Sequence, residues 1–111
     1  MISDGKREPL FQLLIRFAMV PKRLRTARLY AGLSQEKLGV LSGIDEASAR
    51  ARISRYEHGV NRPTYEQTRL FARVLNVPTC YFYIDDDEFA NQVLALYDKT
   101  YNPAMPPRAF Y

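Results

Sequence analysis

Tryptophan is absent from the 111 residues, and cysteine and histidine occur once each, as Cys80 and His58. A lone cysteine rules out an intramolecular disulfide framework and fits a reducing compartment. One His and one Cys far apart in sequence make no zinc site. The longest apolar stretch, Leu10 to Val20, is shorter than the roughly 18 residues of a membrane span and is broken by Arg16. Val20-Pro21-Lys22 does not read as a signal-peptidase site, so neither export nor membrane insertion is expected, and the predicted location is cytoplasmic. No Gly-rich phosphate loop occurs, and the single His lacks the partners of nucleophilic catalysis. The sequence therefore predicts no enzyme, no cofactor and no metal. Strand-like alternation is also missing, which leaves helices to build the fold.

What the chain has is positive charge, unevenly placed. Residues 1–80 contain 14 Lys and Arg against 7 Asp and Glu, whereas residues 81–111 contain 2 against 5. A basic body suits a polyanionic partner. The acidic run Asp85-Asp86-Asp87-Glu88 is read as the charged start of a helix, not a metal site.

Gly and Pro divide the rest into short helical pieces. Pro9 opens a helix to Met19 with Phe11, Leu14, Ile15 and Ala18 on one face. Pro21 opens a second, to Ala31, with Leu24, Ala27, Arg28 and Ala31 on a face and Gly32 behind it. Ser34 caps Gln35 to Ser42, where Leu38 and Leu41 are expected inward. Asp45 caps Glu46 to His58, and Thr64 with Gln67 reads as a capping box for a helix to Leu75 that turns Phe71, Val74 and Leu75 inward. A short helix covers Thr79 to Tyr83, with its aromatics in the core, and Cys80 is expected to be a small buried hydrophobe. A final helix, Glu88 to Lys99, places Phe89, Val93, Leu96 and Tyr97 in near-helical register, a face open to two uses, a dimer contact or closure of the bundle. The predicted organisation is an N-terminal extension (1–20), a central helical domain (21–84), a C-terminal helix (85–100) and a flexible Pro-rich tail (101–111).

Three phrases carry a family resemblance. Arg25-Thr26-Ala27-Arg28-Leu29-Tyr30-Ala31-Gly32-Leu33-Ser34-Gln35-Glu36-Lys37-Leu38 resembles the opening of the XRE, or Cro/lambda-repressor-like, helix-turn-helix family. Ile53-Ser54-Arg55-Tyr56-Glu57-His58-Gly59, with Arg62-Pro63-Thr64, is similar to the end of its recognition helix and the loop that follows. Phe71 to Pro78 resembles its fourth helix and turn. The resemblance implies an all-α, compact helical bundle of the lambda-repressor-like type, here with an extra N-terminal and a C-terminal helix. Gly43 to Ile53 spans ten residues, about four more than the family pattern and close to one turn at about 3.6 residues per turn. The alanine-rich insert favours a longer recognition helix.

Helical phase puts Ala49, Ile53 and Tyr56 inward and Ala47, Arg50, Ala51 and Ser54 outward, with Ser48 and Arg55 on the flanks. In the resembled family this outward face enters the major groove, which implies base contacts from Arg50, Ala51, Ser54, Arg55, Ala47 and Ser48. Backbone contacts are implied for Ser34, Gln35, Lys37, Arg52, Asn61 and Arg62, with Lys22 and Arg23 as weaker candidates. The resemblance also implies a structural ion pair between Arg28 and Glu57. His58 is read as a helix-dipole partner. The expected function is sequence-specific binding of double-stranded DNA by a homodimer that regulates transcription, as a repressor. An antitoxin or other protein-interaction module on the same fold is the alternative.

Overall fold

A computed structural model describes residues 18–106 and 108–110. In chain order they form α1 (Pro21–Tyr30), α2 (Gln35–Leu41), α3 (Glu46–Glu57), α4 (Tyr65–Leu75), a 3-10 turn (Thr79–Tyr83) and α5 (Asp87–Tyr101). No strand occurs among the described residues. The expected helix from Pro9 to Met19 lies outside them except for Ala18 and Met19, which are not helical. Val20 N–H donates to the Phe82 carbonyl at 2.7 Å, which ties the chain entering α1 to the 3-10 turn.

Local chemistry sets most element boundaries. The hydroxyls of Ser34 and Thr64 each accept the backbone N–H three residues on, from Lys37 and Gln67, both at 3.0 Å. Only half of the expected capping box forms at Thr64, because the Gln67 amide donates to the Ser42 carbonyl at 3.2 Å and joins α4 to the end of α2. Asp45 takes the N-cap position of α3 without a side-chain bond, whereas Asp86 accepts from Phe89 N–H at 2.8 Å and caps α5. Gly43 (φ 86°) makes the turn between α2 and α3 in a left-handed conformation that other residues adopt with strain.

Leu24, Leu38, Ile53, Phe71, Tyr81, Phe82 and Leu94 are fully buried and form the centre of one core with Ala49, Leu75 and Val77. The closest helix approach is between α2 and α3. A Cβ added at Gly39 would lie 2.6 Å from that of Ala49, so the absence of a side chain lets the two helices meet. This contact centres the buried face of α2 on Leu38 and Gly39. Leu41, expected inward, is therefore half exposed (50%). Cys80 is likewise exposed rather than buried, since the tight 3-10 turn spends its inward positions on Tyr81 and Phe82.

One further expectation, that of a flexible tail, is corrected near the C-terminus. The inward face of α5 carries Ala90, Leu94 and Asp98, and leaves Phe89 and Leu96 exposed. Asp98 follows Leu94 by one turn, so a carboxylate enters the core and needs a cation. Arg108 supplies it, with Nη2 2.6 Å from Oδ1 and Nε 2.9 Å from Oδ2. The same guanidinium donates to the Leu75 and Asn76 carbonyls at 3.3 and 2.6 Å, closing the end of α4. Phe110 is buried beside Tyr30 and Tyr81, with ring centroids 4.6 and 5.8 Å away. The segment read as a flexible tail thus packs back as a strap, anchored by a charge pair and an aromatic cluster that no local pattern announces. Arg108 holds the Asp98 carboxyl below its usual range, against the opposing effect of burial.

Candidate nucleic-acid interface

The candidate face is built on α2, the Gly43 turn and α3. Its frame is a buried charge network. Arg28 on α1 donates through Nε to Glu57 Oε2 at 2.6 Å and through Nη2 to Glu57 Oε1 at 3.0 Å. Its third donor, Nη1, reaches the Leu33 carbonyl at 2.9 Å. The Gln35 amide at the start of α2 also donates to Glu57 Oε1, at 3.1 Å. One carboxylate at the end of α3 therefore fixes the relative positions of α1, α2 and α3. A bidentate Arg–carboxylate pair has a defined geometry, which orients helices even where its net contribution to stability is small.

Against this frame α3 presents its other side outward. Ala49, Ile53, Tyr56 and Glu57 are buried. Ala47, Ser48, Arg50, Ala51, Arg52 and Arg55 are exposed, and Ser54 is half-buried. No ion pair among the described residues engages Arg50, Arg52, Arg55 or Arg62, and these side chains make the face basic. Two small alanines flank Arg50 in helical phase, so the guanidinium can approach a partner without bulky neighbours.

The arginines divide into two places. Arg50 belongs to the open centre-to-edge of the α3 face. Arg52, Arg55, Asn61 and Arg62 instead line one open concavity of about 260 Å³, together with Tyr56. Arg52 Nη2 is 3.3 Å from the Tyr56 hydroxyl, which holds that guanidinium at the concavity. Among the other expected contacts, Ser34 and Lys37 are exposed at the start of α2 while Gln35 is half-buried and committed to Glu57. The His58 imidazole Nδ1 is 2.7 Å from the Ser54 carbonyl, at the C-terminal end of α3.

Arg23 leaves the set of backbone candidates. It is only 5% exposed, donating to the Ile84 carbonyl at 3.0 and 2.8 Å, the Asp85 carbonyl at 3.0 Å and Asp87 Oδ1 at 2.7 Å. Lys22 shares Asp87 at 2.9 Å. Hydrogen bonds from Lys22 and then Arg23 hold the Asp87 carboxyl below its usual range. Residues 61 to 65 positions apart meet here, and no short-range pattern could pair them. The Asp98–Arg108 pair was also unforeseen, although an Asp one turn beyond Leu94 on an amphipathic helix is a usable signal for a buried cation partner.

Two short helices, α2 and α3, joined through the Gly43 turn and braced by α1, with arginines exposed on α3, are the arrangement of a helix-turn-helix domain. The chain belongs to the helix-turn-helix domain family, whose model matches residues 22–80. It is 38% identical over 66 residues to uncharacterized HTH-type transcriptional regulators of Sinorhizobium medicae (strain WSM419) and Rhizobium meliloti (strain 1021). Those alignments cover 60% of this chain and 45% of each relative, so the chain spans less than half the length of these curated relatives. The fold is also similar to the crystal structure of the transcriptional regulator BswR. The TM-score is 0.72 at 40% identity, covering 78% of this chain and 85% of that one. No helix among the described residues is long and apolar enough to cross a membrane.

Proposed function

We propose that the protein is a cytoplasmic, non-enzymatic transcriptional regulator of the XRE class that binds duplex DNA sequence-specifically as a homodimer and represses by occupying its site. The observation that carries this reading is the unpaired, exposed face of α3, held against α1 and α2 by Arg28, Gln35 and Glu57. In it, α3 lies in the major groove. Arg50 donates two hydrogen bonds to a guanine edge, Ala47 and Ala51 meet thymine methyls, and Ser48 and Ser54 complete the base contacts. The 12-residue α3 is the lengthened recognition helix of this account. Arg55 adjoins both groups, and its concavity with Arg52, Asn61 and Arg62 suits a backbone phosphate. Ser34, Gln35 and Lys37 take the phosphate nearest the start of α2, Gln35 through its backbone N–H while its side-chain amide stays on Glu57.

Selection of bound sequences from a random duplex pool tests the proposal directly. The expected result is a two-fold symmetric site with half-sites about one helical turn apart. Arg50→Ala is expected to cost about 1–3 kcal/mol on the selected site and far less on random DNA. A pool that yields no enriched sequence would sink the reading.

A further inference from the structure

A cleft of about 330 Å³ opens between the chain that enters α1 and the loop that follows α3. Pro21 comes from the first segment, Asn61, Arg62 and Pro63 come from the second, and Tyr56 and Asp85 share the lining. The two segments approach closely at Gly59, where an added Cβ would lie 3.3 Å from Pro21 Cγ. The volume is at the lower end of small-molecule sites, about 300–1,000 Å³. The cleft is also joined to the candidate interface. Tyr56, Asn61 and Arg62 line both it and the concavity of about 260 Å³ that suits a backbone phosphate. Arg62 therefore has one guanidinium for two places.

The chemistry of the lining selects the occupant. Tyr56 is only 7% exposed, its hydroxyl oxygen accepts from Arg52 at 3.3 Å, and nothing among the described residues accepts its proton. A buried donor left open costs free energy that an arriving acceptor restores. With the Asn61 amide and the Arg62 guanidinium it makes a set of donors suited to a carboxylate. Asp85 lines the same cleft with the opposite sign, and no ion pair among the described residues joins it to Arg62. A simple anion there meets Asp85, and a simple cation meets Arg62. A zwitterion offers each residue its counter-charge, while Pro21, Pro63 and the Tyr56 ring suit an apolar side chain.

We infer that this cleft binds a free amino acid with an apolar side chain, its carboxylate on Tyr56, Asn61 and Arg62 and its ammonium on Asp85, and that binding draws Arg62 away from DNA phosphate. The inference deepens the proposed function, since its regulatory half rests on Arg62 contacting phosphate. Amino acid and duplex then weaken one another by the same factor.

Calorimetric titration without DNA tests the site, so its result is independent of the DNA reading. The probes are L-leucine and L-phenylalanine, and at least one is expected to bind saturably. Its analogues with one charge, 4-methylpentanoate and 3-methylbutylamine or 3-phenylpropionate and 2-phenylethylamine, should bind at least about tenfold more weakly. Arg62→Ala and Asp85→Asn should each weaken the amino acid at least about tenfold. Both side chains are exposed, and thermal unfolding checks that the variants fold. Arg69→Ala, an exposed arginine of α4 outside the cleft, should bind the amino acid as the unsubstituted chain does. With the amino acid at saturation, affinity for the selected duplex should fall about fivefold in the unsubstituted chain and not at all in Arg62→Ala. No saturable binding of either probe at about 10 mM, equal binding of the singly charged analogues, or a duplex affinity indifferent to the bound amino acid each overturns the inference. If the amino acid binds while a random duplex pool yields no sequence, the DNA reading fails and the site stands.

Discussion

The α3 end and the α5 end of this molecule use buried ion pairs of the same kind for different purposes. Arg28 and Glu57 join residues 29 positions apart and aim a helix whose outer face is basic. Arg108 and Asp98 join residues ten positions apart and clamp a helix whose outer face mixes Phe89 and Leu96 with polar side chains. Both pairs are bidentate, and both use the remaining guanidinium donors on backbone carbonyls. In each case the charge fixes orientation, while the exposed side of the oriented helix decides what kind of partner fits. The face of α3 suits a polyanion, whereas that of α5 exposes Phe89 and Leu96 beside Gln92 and Lys99.

The comparison is broken most severely by stranding a buried charge. Glu57→Ala leaves Arg28 unpaired and frees Gln35, and is expected to cost about 3–5 kcal/mol in unfolding free energy by urea titration. Arg108→Ala strands Asp98 and opens the end of α4 at the C-terminal edge, for an expected loss of about 2–4 kcal/mol. If the two ends act separately, the residual folded Arg108→Ala protein keeps its DNA selectivity, and the two losses add in the double variant.

Acid titration sharpens the same contrast. The Asp98 carboxyl is held below its ordinary value of 3.8, chiefly by the Arg108 hydrogen bonds. Its stabilisation is therefore complete above that value and is lost as pH falls through the lowered one. Unfolding free energy measured from pH 5 downward should fall steeply in the unsubstituted chain and more gently in Asp98→Asn. An unchanged acid slope in Asp98→Asn would remove that pair from the acid response.

A third contrast lies at the closest helix approach. Gly39→Ala forces a methyl to within 2.6 Å of the Ala49 Cβ and is expected to cost about 1–3 kcal/mol, with recognition lost in proportion to folded protein. The smallest effect is electrostatic. Arg62→Ala, at the rim of the concavity, should leave stability within about 0.5 kcal/mol and weaken selected and random duplexes alike. The slope of log affinity against log salt should shrink by about one. A slope identical to that of the unsubstituted chain would take Arg62 out of contact with phosphate.

Much of the candidate face is visible before folding. Helical phase alone separates Ala49, Ile53 and Tyr56 from Ala47, Arg50 and Ala51, and burial follows that division. The phase works because α3 packs on one side only and is long enough for its period to show. It misleads on α2, seven residues long, where the close approach at Gly39 shifts the buried side and exposes Leu41. The division of the arginines was not legible either. Arg55 lies with Arg52 and Arg62 because the loop after α3 returns beneath the helix, a property of the path and not of the period.

The sequence by itself determined the helical class, the caps at Ser34 and Thr64, the turn at Gly43 and the outward set on α3, because each depends on neighbours within a turn or two. Tertiary structure alone decided that Arg23 is consumed by Ile84, Asp85 and Asp87, that the terminal segment returns to lodge Arg108 and Phe110, and that Phe89 and Leu96 face outward. Those outcomes depend on partners brought together only when the helices pack, where a buried charge takes whichever counter-charge and carbonyls the fold delivers.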